Sequence, residues 1–348
     1  MLFKNLKFRN CLEIKNYKLK IIILFLFSIL CLSIYTIFIS KSKVMNHNMI
    51  FGVSFNQEYA REMDLDEKKV FESILYDWNF KYIRLSAQWD LIENVKGEYD
   101  FEELDYFMDE AGSRDVKVTL ALGRKTPRWP ECHLPDWAKE KDYEVYRQDL
   151  LKYIEIVVER YKNHPALEFW QVENEPFLRF GNCAPLPKKD LKEEVELVKK
   201  LDEEHQVIVT DSGELSLWMR TAQAGDLFGT TMYKVVWNKY IKYFNYDWLP
   251  SSWYNFRLKM NKRAVEDSYV VELQAEPWMS GGSAVSTPLS EQFKSMDLER
   301  LKKNIGYAKE TGMARSYLWG AEWWYFLNEK DREVGGEFLE YVKLLKKE

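Results

Sequence analysis

The stretch Phe169-Trp170-Gln171-Val172-Glu173-Asn174-Glu175-Pro176 decides how this chain is read. It opens as an apolar, aromatic run of strand character and ends in acids, an amide and a proline. Period-two alternation sets Phe169, Gln171, Glu173 and Glu175 toward one side. A carboxyl group at the end of a buried strand has its charged form disfavoured, so it keeps a proton near neutral pH. A general acid that must protonate a poor leaving group needs that property. The competing reading is a strand that ends in solvated acids, and the flanking sequence has to choose between the two.

On either side of this stretch, strand and helix signals alternate from Met49 to the end, without repeat or low-complexity run. Strands are predicted at 50–55, 81–86, 116–122, 167–173, 206–210, 226–233, 268–274 and 314–319. Helices are predicted from a capping box at Asp64–Glu67, from Asp100 and Glu103, and over 143–161, 188–201, 215–224, 290–310 and 336–347. A long aromatic excursion spans Trp237 to Trp253. Eight strands at this spacing predict an α/β fold, a parallel (β/α)8 TIM barrel over residues 49–348, with an open α/β sheet as the alternative.

In such a barrel, chemistry gathers at the C-terminal ends of the strands. Asn56 and Gln57 stand there after the first strand, and Arg84, Gln88 and Trp89 on or after the second. Arg124, Lys125, Trp129 and His133 follow the third, and Asn174 and Glu175 the fourth. Asp211 and Glu214 follow the fifth, with a role only in capping the next helix as the alternative to one at the site. Tyr233, Glu272, and Trp319 with Glu322 complete the ring. Polar and aromatic side chains thus replace aliphatic ones at one end of nearly every strand.

The order Asn174-Glu175-Pro176 after an aromatic strand resembles the acid/base motif of clan A glycoside hydrolases. Arg84 on the second strand, Glu272 after Val270-Val271 on the seventh and Trp319 on the eighth are similar to the same pattern. Val271 stands where that pattern often has threonine. The run Trp89-Asp90-Leu91-Ile92-Glu93, then Gly97-Glu98-Tyr99-Asp100-Phe101, is similar to a segment shared by cellulase-like and β-galactosidase-like members.

The resemblance implies a retaining glycosidase acting on a β-linked oligo- or polysaccharide, with Glu175 as acid/base and Glu272 as nucleophile. Glu276 is the other candidate nucleophile, but it lies further along and is expected in the following loop. Arg84 is expected to hold Glu272 ionised, Tyr233 to hydrogen-bond it, Asn174 to meet the sugar 2-hydroxyl, and Trp319 to floor the reacting subsite. Trp129, His133 and Glu276 are assigned to outer subsites. Two other readings use the same residues: an envelope transglycosylase, and a carbohydrate-binding barrel without turnover.

Composition narrows the classes. The 13 Trp and 21 Tyr suit sugar stacking as well as core packing, and a net charge of −5 gives no reason to expect nucleic acid. With four His and no HExxH or CxxC spacing, neither a metal site nor any other cofactor is expected. Residues 1–20 form a basic tail, with Lys4, Lys7, Arg9, Lys15, Lys18 and Lys20 against Glu13. Residues 21–40 are an uncharged apolar run long enough to cross a bilayer, and 41–48 a linker. The charge bias predicts an uncleaved signal anchor with the tail in the cytoplasm and the barrel outside; a cleaved signal peptide is the alternative. Cys132 and Cys183 are the two cysteines of the exported part, on loops after neighbouring strands. They are expected to bridge in an oxidising compartment, with two free thiols as the alternative.

Overall fold

In the computed structural model, residues 3–34 and 45–345 are described, without the side chains of 3–16, 31 and 34. Two compact units separate at Lys43, and the second, Val44–Glu348, holds the barrel. Its strands are β1 (Ile50–Ser54), β2 (Tyr82–Ser86), β3 (Lys117–Leu122), β4 (Leu167–Val172), β5 (Gln206–Asp211) and β6 (Leu227–Met232). A short antiparallel hairpin, β7 (Val235–Asn238) and β8 (Lys242–Asn245), follows, then β9 (Ser268–Gln274) and β10 (Arg315–Trp319). The barrel closes in the order β1-β10-β9-β6-β5-β4-β3-β2, every pair parallel.

Closure puts two kinds of side chain inside. Toward one end lie Ile208, Leu227, Tyr269, Val271 and Tyr317, with Phe169 packed against them. Toward the other the interior turns polar, with Arg84, Gln171 and Glu272 all but inaccessible. The opposite strand faces carry Val118, Leu120, Val172, Val207, Val209 and Leu273 into the larger apolar cluster shared with the helices. Burying each such aliphatic side chain contributes about 1.5–3 kcal/mol. That layer supports the rigidity the polar interior needs.

The helices predicted at 143–161 and 188–201 stand at those bounds. Others differ. Residues 215–224 form turns instead of a helix. The Asp211 carboxylate accepts from the Ser212 amide and the Ser216 and Thr221 hydroxyls, and these local bonds compete with helix formation. Asp211 and Glu214 therefore cap no helix. The segment 290–310 breaks into Leu289–Gln292 and Leu298–Lys309, because Asp297 accepts from the Arg300 amide and starts a new helix. The C-terminal helix begins earlier than its apolar spacing suggests, as Ala321–Lys330 followed by Arg332–Leu344 with Asp331 as cap. Residues 346–347 lie outside the described ones.

The N-terminal unit contains one helix, Phe3–Ile34. Among the described residues, no helix is long and apolar enough to cross a membrane. The apolar run enters this helix at Ile21 and is described only to Ile34; at 1.5 Å per residue that part spans about 21 Å, short of the ~30 Å hydrocarbon layer. The end of the predicted span, 35–40, lies outside the described residues. Within the helix, the large apolar side chains from Ile21 to Leu30 are 46–67% exposed.

Candidate active site

β4 stops at Val172, and the chain then turns sharply. Glu173 and Glu175 both adopt positive φ, 58° and 44°, a conformation uncommon outside glycine and frequent at active sites. The alternation expected through Glu175 therefore breaks. Glu173 turns aside to accept the amides of Arg124 and Lys125, each at 2.9 Å. Gly123 makes room for it, since a Cβ there would meet Glu173 Oε1 at 2.6 Å. Glu175 returns toward the barrel mouth, its amide donating to Thr210 Oγ1 at 2.9 Å.

β9 delivers the second acid by a different device. Strict alternation would put Glu272 on the face of Val270 and Leu273's helix-side layer, since Val271 packs inside the barrel. The register with both neighbouring strands slips between Val270 and Leu273 on one side and between Val270 and Glu272 on the other. This bulge aims Glu272 inward, a recurring use of bulges beside active sites.

Arg84 Nη1 donates to Glu272 Oε1 at 2.9 Å, Nη2 to Asn174 Oδ1 at 2.8 Å and Nε to Gln171 Oε1 at 2.7 Å. Tyr233 Oη donates to Glu272 Oε2 at 2.9 Å. Thr231, registered opposite Glu272 on β6, donates its hydroxyl to Glu175 Oε1 at 3.1 Å. One strand spacing, about 4.8 Å between neighbours, thus brings the two acids together. Burial, then the charges of Glu131 and Glu272, hold the Glu175 carboxyl well above the ordinary carboxylate range.

A cavity of about 910 Å³ opens beside them. Trp129, His133, Tyr233, Glu276 and Trp319 lie on its wall. Trp129 is 63% exposed and begins an aromatic series, Trp129 to Phe180 to Trp278 to Tyr233, with ring centroids 5.3–6.2 Å apart. His133 Nδ1 lies 2.8 Å from Gln88 Nε2. Glu276 follows the end of β9 and pairs with Arg128, which also reaches Glu322 and lies over the Trp319 ring at 4.2 Å. Glu276 is thereby separated from the Arg84 network that holds Glu272.

Glu175 and Glu272 do not themselves line this cavity; Tyr233 and Glu131 carry its wall beside them. Glu131 was not anticipated from the sequence. It is 6% exposed, at positive φ in the loop after β3, and burial and then the Glu272 charge push its carboxyl pKa upward. No motif marks it, because the groups that act on it include Arg84 on β2, Asn174 after β4 and Glu272 on β9. Arg128 was missed for the same reason. The adjacent Cys132 is bonded to Cys183, as expected, tying the loop after β3 to the loop after β4.

Residues 73–205 match the Glyco_hydro_42 family, described as beta-galactosidase. A beta-galactosidase of Arthrobacter sp is 31% identical over 151 residues, 37% of this chain and 21% of the relative. Beta-galactosidase BgaA of Clostridium cellulovorans is 24% identical over 215 residues, 55% of this chain and 32% of the relative. These matches support a clan A glycoside hydrolase. It spans about a fifth to a third of the length of these curated relatives. Among solved structures, the chain is similar to the beta-galactosidase of Halorubrum lacusprofundi (TM-score 0.55, 15% identity, 78% of this chain, 52% of that one). It is also similar to xylanase 10B of Thermotoga maritima (TM-score 0.51, 17% identity, 78% and 83%). At these identities the structural likeness speaks for the barrel fold alone.

Proposed function

We propose that the chain is a retaining glycoside hydrolase cleaving β-linked O-glycosyl bonds. The convergence of Glu175 and Glu272 at Thr231 carries this reading. In the first step a Glu272 carboxylate oxygen attacks the anomeric carbon, the glycosidic C–O bond breaks, and the Glu175 proton passes to the leaving oxygen. In the second, water gives a proton to Glu175, attacks the anomeric carbon and releases Glu272. Arg84 and Tyr233 neutralise and orient Glu272, Asn174 sits beside the acid where a sugar 2-hydroxyl would lie, and Trp319 is a stacking surface.

The test is a panel of aryl β-glycosides, β-galactosides first because of the relatives' names, with product anomers followed by NMR. Retained β configuration is expected. Glu272→Gln should lose turnover on every substrate, whereas Glu175→Gln should keep most of its first step only on strongly activated aryl leaving groups. Inverted product, or full activity in Glu272→Gln, sinks the assignment.

We also propose a membrane anchor at 21–40 with the barrel outside the cytoplasmic membrane, supported by the apolar run, its basic flank and the exposed apolar side chains from Ile21 to Leu30. Fractionation and protease accessibility of the full chain in cells test it. Release of the chain by salt alone would overturn it.

A further inference from the structure

The wall of the cavity is strongly one-signed. Glu58, Glu62, Asp90, Glu131 and Glu276 line it against a single guanidinium, Arg128, and that guanidinium is already engaged by Glu276 and Glu322. The decisive member is Glu131. It lies on the wall beside both catalytic carboxyls, more than nine-tenths of it is buried, and its Oε2 accepts no hydrogen bond. The Asn174 amide acts on the Glu131 carboxyl, yet neither Asn174 Nδ2 nor Glu131 Oε2 closes a hydrogen bond of ordinary geometry. A buried polar atom left without a partner costs about 1–3 kcal/mol, so the site is built for a ligand that supplies a donor. The cations that act on Glu131, Lys125 and Arg84, are engaged elsewhere: the Lys125 ammonium donates to the carbonyls of Glu175 and Leu178, and Arg84 to Glu272, Asn174 and Gln171.

We propose that the sugar bound beside Glu131 carries a free amino group, so that the preferred substrate is a β-glycoside of a 2-amino-2-deoxy sugar that is not N-acetylated. An ammonium group has three donors and no acceptor. It satisfies Glu131 Oε2 and is attracted by the remaining carboxyls of the wall. A neutral hydroxyl would supply one donor and leave the excess of negative charge uncompensated. An N-acetyl group would place a carbonyl oxygen and a methyl against carboxylates. Burial, then the Glu272 charge, raise the Glu131 pKa to about 8, and an ammonium bound beside it would stabilise the charged form and lower that value. The inference rests on the hydrolase reading for the position of the sugar but concerns the sugar's identity.

Two measurements test it. First, binding to the wild-type full chain is followed by tryptophan fluorescence, with Trp129, Trp237 and Trp278 on the wall. The probes are β-1,4-linked glucosamine trimer, its fully N-acetylated form and cellotriose. The glucosamine trimer is expected to bind at least tenfold more tightly, with an advantage that shrinks as salt rises. Second, kcat/KM is compared for 4-nitrophenyl 2-amino-2-deoxy-β-D-gluco- and galactopyranosides and their 2-hydroxy counterparts. The amino sugars are expected to be preferred, and Glu131→Gln should reduce that preference by about tenfold to a hundredfold, the range carried by a charged hydrogen bond.

Equal binding of all three oligosaccharides, or a preference for neutral glycosides, overturns the amino-sugar inference while leaving the hydrolase reading intact. Tight binding of the glucosamine trimer without cleavage of any aryl glycoside does the reverse. Neither binding nor cleavage sinks both. Since the binding comparison uses the wild-type chain, it decides even if Glu131→Gln fails to fold.

Discussion

Arg84 shows how much one side chain organises at this site. Its three donor nitrogens reach Glu272, Asn174 and Gln171, so one buried guanidinium joins β2, β4 and β9. Tyr233 adds the remaining bond to Glu272 from the end of β6. Tyr233→Phe removes that hydroxyl and little else, because the Tyr233 amide still donates to Glu214. We expect kcat/KM on an aryl β-glycoside to fall by about tenfold to a hundredfold, the worth of a hydrogen bond to a charged group; less than a twofold change would mean that the bond is absent during turnover. Glu131 permits a second prediction. Its charge is the largest cause after burial of the raised Glu175 pKa. In the proposed mechanism Glu175 must be protonated, so activity is lost as pH rises through that value. Removing the neighbouring charge in Glu131→Gln lowers the Glu175 pKa, and the alkaline limb of kcat/KM should move to lower pH. A limb that stays in place, or moves upward, would show that Glu175 and Glu131 do not share this field.

At the scale of elements, the loops after β3 and β4 act as one piece because Cys132–Cys183 joins them. The loop after β3 carries Arg128, Trp129, Glu131 and His133 to the cavity. Replacing both cysteines with serine should cost about 2–4 kcal/mol of stability, measured as a lower midpoint in urea, and should raise KM more than it lowers kcat. An unchanged KM would mean that the loop holds its position without the bridge. These loops also mark where sequence patterns stop being informative. The strands were legible because burial on both faces leaves apolar runs of barrel-strand length, as in Val116–Leu122 and Ser268–Gln274. Glu272 was nominated as a strand-end acid, but the bulge that turns it inward is set by pairing with β6 and β10. Turns at 215–224 looked helical because Leu215, Trp218 and Ala222 fall at helical spacing, and nothing local reveals that Asp211 claims the competing hydroxyls. Glu131 was invisible for a related reason, since the groups that act on it, Glu272, Arg84 and Asn174, lie far away in sequence.

At the scale of the whole molecule, a barrel mouth filled with carboxyl groups ties stability to pH. Glu214 is the clearest case outside the acid pair. It is partly buried, accepts from the Tyr233 amide at 3.0 Å and the Tyr254 hydroxyl at 2.8 Å, and desolvation raises its pKa from 4.5 to about 7. The folded chain therefore keeps a proton here that the unfolded chain has already released. Stability must fall as pH rises from about 4.5 to about 7, by at most ~1.4 kcal/mol per unit from this group. Above that window its cost is constant. Glu322, also raised to about 7 by burial and held by Arg128, acts in the same direction. The opposite trend comes from surface carboxylates with lowered pKa, such as Asp105 beside Arg160, whose contribution is lost only as pH falls below the ordinary range. Glu214→Gln keeps an oxygen for both donors and removes the titration. The thermal midpoint of the variant should change less than that of the wild type between pH 4.5 and 7, with the largest gain in relative stability at the neutral end. Parallel curves across that range would mean that Glu214 titrates as an ordinary carboxylate and that water reaches it.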